Sequence, residues 1–351
     1  MKILITGATG FIGRNLIPIL EKEAEIERIL ILIRDRKKVE GLYSEKVDVC
    51  TIEEGYEEVI RKFLPDKVIH LASFLTSRND SEVIDKILDA NIKFGTLLLN
   101  TLRGCQIKEF INFGSFAEYR LGNGLDSAYL YTATKTAFRS ILKYYSQIEN
   151  FKYYNVIPYT IYGGKDTQKK VIDYIKESFE REVDMSYGEQ ILDFIHIDDV
   201  CDFIKILLFH EKEIPNEQEF YLGTGKGTNI RELSKILEKI YTKKANIKWG
   251  KIPYRERDIM YAVAPLGNNI EYLNWKAKLK LEDQLAEQSR AEQSRAEQSR
   301  AEQSRAEQSR AEQSRAEQSR AVNPSIFKSI NKDKINFLIK EIPLNSLEVF
   351  I

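Results

Sequence analysis

The sequence predicts an α/β fold: a doubly wound parallel sheet, a smaller C-terminal lobe and an extension built from repeats. Three observations carry this prediction. Lys2-Ile3-Leu4-Ile5 runs at once into Thr6-Gly7-Ala8-Thr9-Gly10-Phe11-Ile12-Gly13, and Asn15 to Leu20 continues as an amphipathic helix. Ile29-Leu30-Ile31-Leu32-Ile33 is a continuous apolar run, and Val68-Ile69-His70-Leu71-Ala72 nearly so, the mark of strands buried on both faces. Helical stretches separate these runs, and such alternation argues for a parallel sheet covered on both sides. Together they describe a Rossmann-type sheet.

Each element follows in order. Gly7 permits a tight turn, Gly10 lets the backbone approach a pyrophosphate, and Gly13 lets the helix pack closely on the strand. Free N–H groups at the helix start then face the phosphates. The second strand, 29–33, ends in Arg34-Asp35-Arg36-Lys37-Lys38. In this fold that end meets the adenosine ribose, where an acid suits a free 2′-hydroxyl and arginine a 2′-phosphate. Arg34 comes first, so the sequence favours NADPH, with NAD the alternative because Asp35 adjoins it. Val47-Asp48-Val49 is the third strand, with Asp48 expected to reach the adenine. Val68 to Ala72 is the fourth, and His70 reads as a core histidine. A helix covers about 81–103, and Phe110 to Phe113 is the fifth strand, ending in Gly114-Ser115. Tyr131-Thr132-Ala133-Thr134-Lys135 opens the next helix, so Tyr131 and Lys135 project from one face. Tyr154 to Tyr159 is the sixth strand. Residues 1–165 thus form the nucleotide-binding domain, with 191–211 returning to it, and 166–285 form the smaller lobe.

Composition removes other classes. Lys+Arg and Asp+Glu are equal at 53 each, so no global basic field calls for nucleic acid. No apolar run is long enough to span a bilayer, and the N-terminus reads as a buried strand and not as a signal peptide. Cys50, Cys105 and Cys201 are widely spaced and lack metal-ligand spacing, so reduced thiols, no metal and a cytoplasmic location are expected.

Residues 286–320 are seven copies of Ala-Glu-Gln-Ser-Arg. All but Ser are good helix formers, and each Glu precedes an Arg by three residues. A five-residue period advances about 500° around a helix, so the alanines build no apolar stripe. A solvated single helix is expected, with disorder the alternative, and deleting 286–320 is expected to leave catalysis intact. The tail, 321–351, carries Ile335, Phe337, Leu338, Ile339, Val349, Phe350 and Ile351, which are expected to dock elsewhere.

These pieces together resemble the extended short-chain dehydrogenase/reductase family, the sugar-nucleotide epimerases, dehydratases and reductases. The resemblance covers about residues 1 to 285. It rests on Thr6-Gly7-x-x-Gly10-x-x-Gly13, Ser115, Tyr131-x-x-x-Lys135, Tyr162-Gly163 and Asp193-Phe194-Ile195-His196-Ile197-Asp198-Asp199-Val200. The order of these motifs is the specific part, since a Tyr-x-x-x-Lys pair alone means little in a chain with 18 tyrosines. The resemblance implies that Tyr131 is the general acid/base, that Lys135 favours its phenolate and holds the nicotinamide ribose, and that Ser115 positions the substrate carbonyl. A free tyrosine has a pKa near 10 and needs such help at neutral pH. Cofactor contacts are expected from Gly7, Thr9, Gly10, Phe11, Ile12, Gly13, Arg34, Asp48, Leu71, Ala72, Asn91, Lys135 and Pro158. Substrate contacts are expected from Ser115, Phe116, Tyr131 and Arg255, the last facing the nucleotide diphosphate. A homodimer is expected through the helices 81–103 and 131–146.

Absences narrow the reaction. The family's 4,6-dehydratases carry Thr-Asp-Glu where this chain reads Ser115-Phe116-Ala117, and Glu118 is displaced by one position. Dehydration is therefore not expected. NADPH-dependent reduction of a nucleotide-linked 4-keto-deoxyhexose is the leading expectation, and 4-epimerisation with recycled NAD is the alternative. Arg34 favours reduction, as does a likeness to the bacterial 4-ketoreductases of the CDP-abequose and paratose synthase type, in Asn112-Phe113-Gly114-Ser115-Phe116, Leu222-Gly223-Thr224-Gly225-Lys226-Gly227 and Arg255-x-x-x-Ile259-Met260. The arginine this family commonly places before Asp-Phe-Ile is Leu192 here. A sensor or scaffold without catalysis is a third reading, opposed by the intact Ser115, Tyr131 and Lys135.

Overall fold

Seven parallel strands form the main sheet of the computed structural model, which describes residues 1–322 apart from Asn123, Lys165 and Thr167. The apolar tail residues from Ile335 to Ile351 lie outside the described residues. The first six strands in the chain are β1 (Lys2–Thr6), β2 (Arg28–Ile33), β3 (Val47–Thr51), β4 (Lys67–His70), β5 (Glu109–Phe113) and β6 (Lys152–Pro158). The first five helices are α1 (Phe11–Leu20), α2 (Tyr56–Phe63), α3 (Ser81–Leu88), α4 (Phe94–Thr101) and α5 (Leu130–Glu149). A π turn at Asp89–Lys93 joins α3 to α4. The remaining strands are β7 (Thr160–Tyr162), β8 (Val183–Asp184), β9 (Ile191–His196), β10 (Gln218–Leu222), β11 (Gly227–Asn229), β12 (Ile247–Lys248) and β13 (Tyr261–Ala262). With them run α6 (Val171–Glu177), α7 (Ile197–Leu208), α8 (Ile230–Tyr241), α9 (Gly267–Leu273) and α10 (Leu281–Val322).

The main sheet has the order β10-β6-β5-β4-β1-β2-β3, the doubly wound arrangement with one further strand. Continuous apolar strands are what this layering needs. Ile3 and Ile5 of β1 turn to one face, against Leu16 and Ile17 of α1 and Phe203 and Leu207 of α7. Leu4, between them, turns to the other face, against Ile60 of α2, Leu98 of α4 and Phe138 of α5. Strand order reverses between β1 and β4, the place where a doubly wound sheet forms a crevice beyond the C-terminal ends of its strands.

A smaller sheet holds β11, β9 and β13, with β7 also paired to β9. Its core joins Ile172 and Ile175 of α6 to Leu233 and Leu237 of α8. Asp193 in β9 is fully buried and accepts from the N–H groups of Thr224, Gly225 and Ala264 and from the Thr224 hydroxyl. Four donors on one carboxylate compensate its burial without a cation. Asp199 accepts from Lys278 N and Leu279 N, so it fastens the chain leading to α10 and forms no catalytic pair with Asp198.

Met1–Ser289 is one compact unit, and the residues from Arg290 onward form another. Among the described residues the first repeat therefore differs from the copies after it. Leu285 and Ser289, one turn apart on α10, are 1% and 2% exposed, and Leu285 joins the core of α6 and α8. Residues 293–317 are all exposed. The harmless deletion expected from 286 must begin after Ser289, because the first copy is part of a core. Removing residues 290–320 is expected to leave the unfolding midpoint of unit 1–289 in place, whereas Leu285→Ala is expected to cost about 2–5 kcal/mol by urea titration.

Candidate active site

The glycine turn is shaped by what it excludes. Gly7 has φ +71°, and a Cβ there would stand 2.6 Å from Ala72 N just past β4. A Cβ on Gly13 would stand 2.6 Å from Gly7 O, so α1 can lie this close to β1 only with glycine. Gly10 N donates to Gly7 O at 2.9 Å, and Gly10 is itself the N-cap of α1 without a side-chain cap. The first N–H groups of the helix, from Phe11, Ile12 and Gly13, therefore have no side-chain acceptor, which suits an anionic pyrophosphate. Thr9 is half-buried in the turn, and the Lys170 ammonium sits over the Phe11 ring, 4.0 Å from its centre. Leu71 N and Ala72 N donate to Thr6 O and Thr6 Oγ1, which fixes the opposite wall of the crevice.

At the end of β2 the charges divide. Asp35 accepts from Lys37 N and caps the 3-10 turn Arg36–Lys38. Arg36 donates to Glu54 and to Val49 O. Arg34 is exposed, and among the described residues nothing pairs with it. Asp48 requires a correction. It was expected at the adenine, but Arg28 holds both its oxygens. It also lies beside Leu30, whereas Thr51 lies beside Ile33 at the strand exit, about 10 Å farther on.

The turn after β5 and the start of α5 carry the chemical groups. Ser115 Oγ accepts from Ala117 N at 3.2 Å, which leaves its own O–H free to donate. Ser115 N donates to Glu118 Oε1, and the fully buried Glu118 carboxylate also accepts from Thr136 Oγ1 and Arg139. Glu118 therefore faces the helix and cannot stand in for a dehydratase acid. Tyr131 is buried, and burial pushes its phenol up to about 12, opposed by a hydrogen bond with Ser73 and reinforced by Glu118. Lys135 is 4% exposed, and burial pushes its ammonium down to about 8, with Glu118 raising it and Arg139 lowering it. Burial is the largest influence on the Tyr131 phenol, ahead of Ser73 and Glu118. Among the described residues no hydrogen bond or ion pair engages the Lys135 ammonium. A buried ammonium without a partner beside the crevice fits a hydroxyl-bearing cofactor ribose.

Asn91 lies in the π turn, fully buried, and ties the wall together. Its Oδ1 accepts from Phe74 N and Ser73 Oγ, and its Nδ2 donates to Thr134 Oγ1. A single π turn offsets one residue from the helical ladder, which is how it reaches both neighbours. Pro158 ends β6, half-buried, at the same edge of the sheet. His70 is buried, bonds Thr6 Oγ1 at 2.8 Å, and is pushed down to about 3 by burial and by Lys135, so it is a neutral core residue. On the substrate side Phe116 stacks on Tyr159, and both join an apolar cluster with Ala117, Ala128, Ile259 and Ala262. The Arg255 guanidinium lies 5.6 Å from the centre of the Tyr129 ring, two residues before Tyr131. Sequence reasoning missed Ser73 and Arg139. The serine could have been suspected from its place directly after Leu71-Ala72.

With this geometry in place, the chain can be set beside known proteins. Residues 3–223, more than half of the chain, match the NAD dependent epimerase/dehydratase family. The chain belongs to that family. As a member of the NAD dependent epimerase/dehydratase family it is an NAD(P)-dependent enzyme. It is 28% identical over 293 residues to the CDP-abequose synthase of Salmonella typhimurium, covering 81% of this chain and 96% of that protein. It is 25% identical over 306 residues to the GDP-6-deoxy-D-talose 4-dehydrogenase of Aggregatibacter actinomycetemcomitans, covering 80% and 96%. The fold matches that of the UDP-glucuronic acid 4-epimerase of Bacillus cereus, solved with UDP-glucuronic acid and NAD, with TM-score 0.73, 20% identity and coverage of 81% and 96%. No helix among the described residues is long and apolar enough to cross a membrane, and no cluster of three or more metal-ligating side chains is present among them.

Asn91→Ala is expected to cost about 1–3 kcal/mol, because Phe74 N and the Thr134 hydroxyl lose a buried partner. Thermal unfolding with and without cofactor reads that loss.

Proposed function

We propose that the protein reduces the C4 carbonyl of a nucleotide-linked deoxyhexose and consumes NADPH in each turnover. Nucleotide-sugar modification by an NAD(P)-dependent enzyme is what its relatives share. The observation that carries reduction over epimerisation is the end of β2. Arg34 stands exposed and unpaired there, while the competing acid, Asp35, is engaged by Lys37 N. A guanidinium suits a 2′-phosphate, and with NADPH the net reaction is reduction, whereas 4-epimerisation recycles a bound NAD. Elimination of water has no acid to perform it: Phe116 and Ala117 transfer no proton, and Glu118 is bound to Arg139. The apolar cluster around Phe116 and Tyr159 adjoins Ser115 and suits a sugar carbon that has lost its hydroxyl.

The cofactor, when bound, supplies a hydride. The residues of the chain supply the rest. The glycine turn and the start of α1 bind the pyrophosphate, and Lys135 holds the ribose beside it. Ser115 donates to the carbonyl oxygen and orients it. Tyr131, protonated at neutral pH, gives its proton to the same oxygen. Arg255, close to Tyr129, holds the nucleotide diphosphate.

NADPH loss is expected to equal alcohol formed on a 4-keto sugar nucleotide; isomerisation without net cofactor change refutes the reading. Tyr131→Phe is expected to lower kcat about 10²–10⁴-fold. Arg34→Ala is expected to raise KM for NADPH about 10–100-fold and leave NADH nearly unaffected, as the loss of one charge-assisted contact predicts. The Lys135 ammonium is present below about pH 8 and lost above it, while the Tyr131 phenol persists to about 12. The rate of reduction is therefore expected to fall through a limb near pH 8, read from kcat/KM against pH.

A homodimer belongs to the same reading. Leu88, Leu97, Tyr144 and Ile148 are exposed on α3, α4 and α5, an apolar face of helices that a second copy would cover. Sedimentation velocity is expected to show a dimer, and Leu97→Glu a monomer.

A further inference from the structure

We propose that Glu118 is a positioning residue of this site, whose buried carboxylate ties the Ser115 turn to the helix that carries Tyr131 and Lys135. This rests on the reading of Ser115, Tyr131 and Lys135 given above. Glu118 follows Ser115 by three residues and is fully buried. Its Oε1 accepts from Ser115 N at 2.9 Å and from Arg139 Nη2 at 3.1 Å. Its Oε2 accepts from Thr136 Oγ1 at 2.9 Å and lies 3.0 Å from Arg139 Nε. Two of these partners, Thr136 and Arg139, follow Lys135 on α5. The tie thus runs from the backbone of Ser115, through one carboxylate, to residues one and four places beyond Lys135.

Arg139 is in turn anchored from behind. Its Nη1 donates to Tyr119 Oη at 2.8 Å and to Glu219 of β10, and its guanidinium lies 5.5 Å from the centre of the Tyr119 ring. Glu219 also accepts from the hydroxyls of Tyr119 and Tyr221. The result is a line of alternating charge, half-buried at Glu219 and buried at Arg139 and Glu118, that runs to the Ser115 turn. A Cβ on Gly114 would stand 2.5 Å from Glu118 Oε1, so the chain before Ser115 is cut to fit this carboxylate.

Such a line does more than hold a turn. In a low-dielectric interior a nearby carboxylate favours an ammonium and disfavours a phenolate. Glu118 therefore favours the charged form of Lys135 against the pull of burial and adds to the burial that holds Tyr131 protonated, the two states in which the site can give a proton to a carbonyl. Arg139 acts on Lys135 in the opposite sense. Lys135 also acts on His70 from β4, which burial keeps neutral, and Tyr131 lies one turn before it on α5. Asp89 and Lys93 in the π turn form their own exposed pair.

The opposite signs give a test that a merely structural role does not pass. NADPH affinity is titrated against pH by nicotinamide fluorescence in the full-length protein, and the limb set by Lys135 is located. Glu118→Gln is expected to move that limb to lower pH by about one unit, and Arg139→Gln is expected to move it to higher pH. Hydrogen exchange at the Ser115 amide is expected to quicken in Glu118→Gln. Limbs that stay in place, or move the same way in both variants, overturn the proposal. If Glu118→Gln does not fold, Arg139→Gln alone decides, since a limb that stays or falls refutes it. A protein that shows both opposite shifts yet reduces no 4-keto sugar nucleotide refutes the proposed reaction and leaves the role of Glu118 standing.

Discussion

A missing side chain at residue 7 lets the glycine turn lie against the chain leaving β4, with Ala72 N only 2.6 Å from where a Cβ would stand. Everything functional depends on that approach. It narrows the crevice at the point where strand order reverses, and it turns the uncapped start of α1 toward the crevice. The same economy recurs at Gly13, where a Cβ would meet Gly7 O. Replacing either glycine by alanine would push the turn off the sheet and disturb the cofactor cradle before any reacting group was touched.

Beside that turn the protein buries a tyrosine and a lysine on one helix, Tyr131 and Lys135. Burial makes Tyr131 a weaker acid than free tyrosine and Lys135 a weaker base than free lysine. Both effects come from the same desolvation, and they bring the lysine close to neutral pH while leaving the tyrosine protonated. The hydrogen bonds around them are positional. Asn91 fixes the Ser73 loop to α5, and Glu118 fixes the Ser115 turn to α5, so three separate chain segments share one helix as their reference.

Much of this was legible in the sequence, for physical reasons. Strands buried on two faces must be apolar throughout, so Ile29 to Ile33 announced itself. Tyr131 and Lys135 sit at a spacing that only one helical face provides. His70, apolar on both sides, read correctly as core. The errors fall where the deciding contact is distant in the chain. Asp48 was assigned to the adenine because a short strand does not reveal its register, and its partner Arg28 lies 20 residues upstream. The Glu118–Arg139 pair joins a turn to a helix across 21 residues, with no periodic signal to mark it. The π turn at Asp89–Lys93 breaks one expected helix into two, since a single wide turn leaves no trace in the apolar pattern. The seven repeats look alike, yet among the described residues only the first contributes a buried side chain, Ser289, a difference that identical copies cannot show.

The central claim is that this site moves hydride outward from a 2′-phosphorylated cofactor onto a nucleotide-linked ketone, with Tyr131 closing the reaction. The most direct test supplies NADPH deuterated at the transferring position of the nicotinamide together with a 4-keto sugar nucleotide, and locates the label by NMR. The account predicts one deuterium at C4 of the sugar for every NADP formed. Label retained on the cofactor, with the sugar merely isomerised, would contradict it.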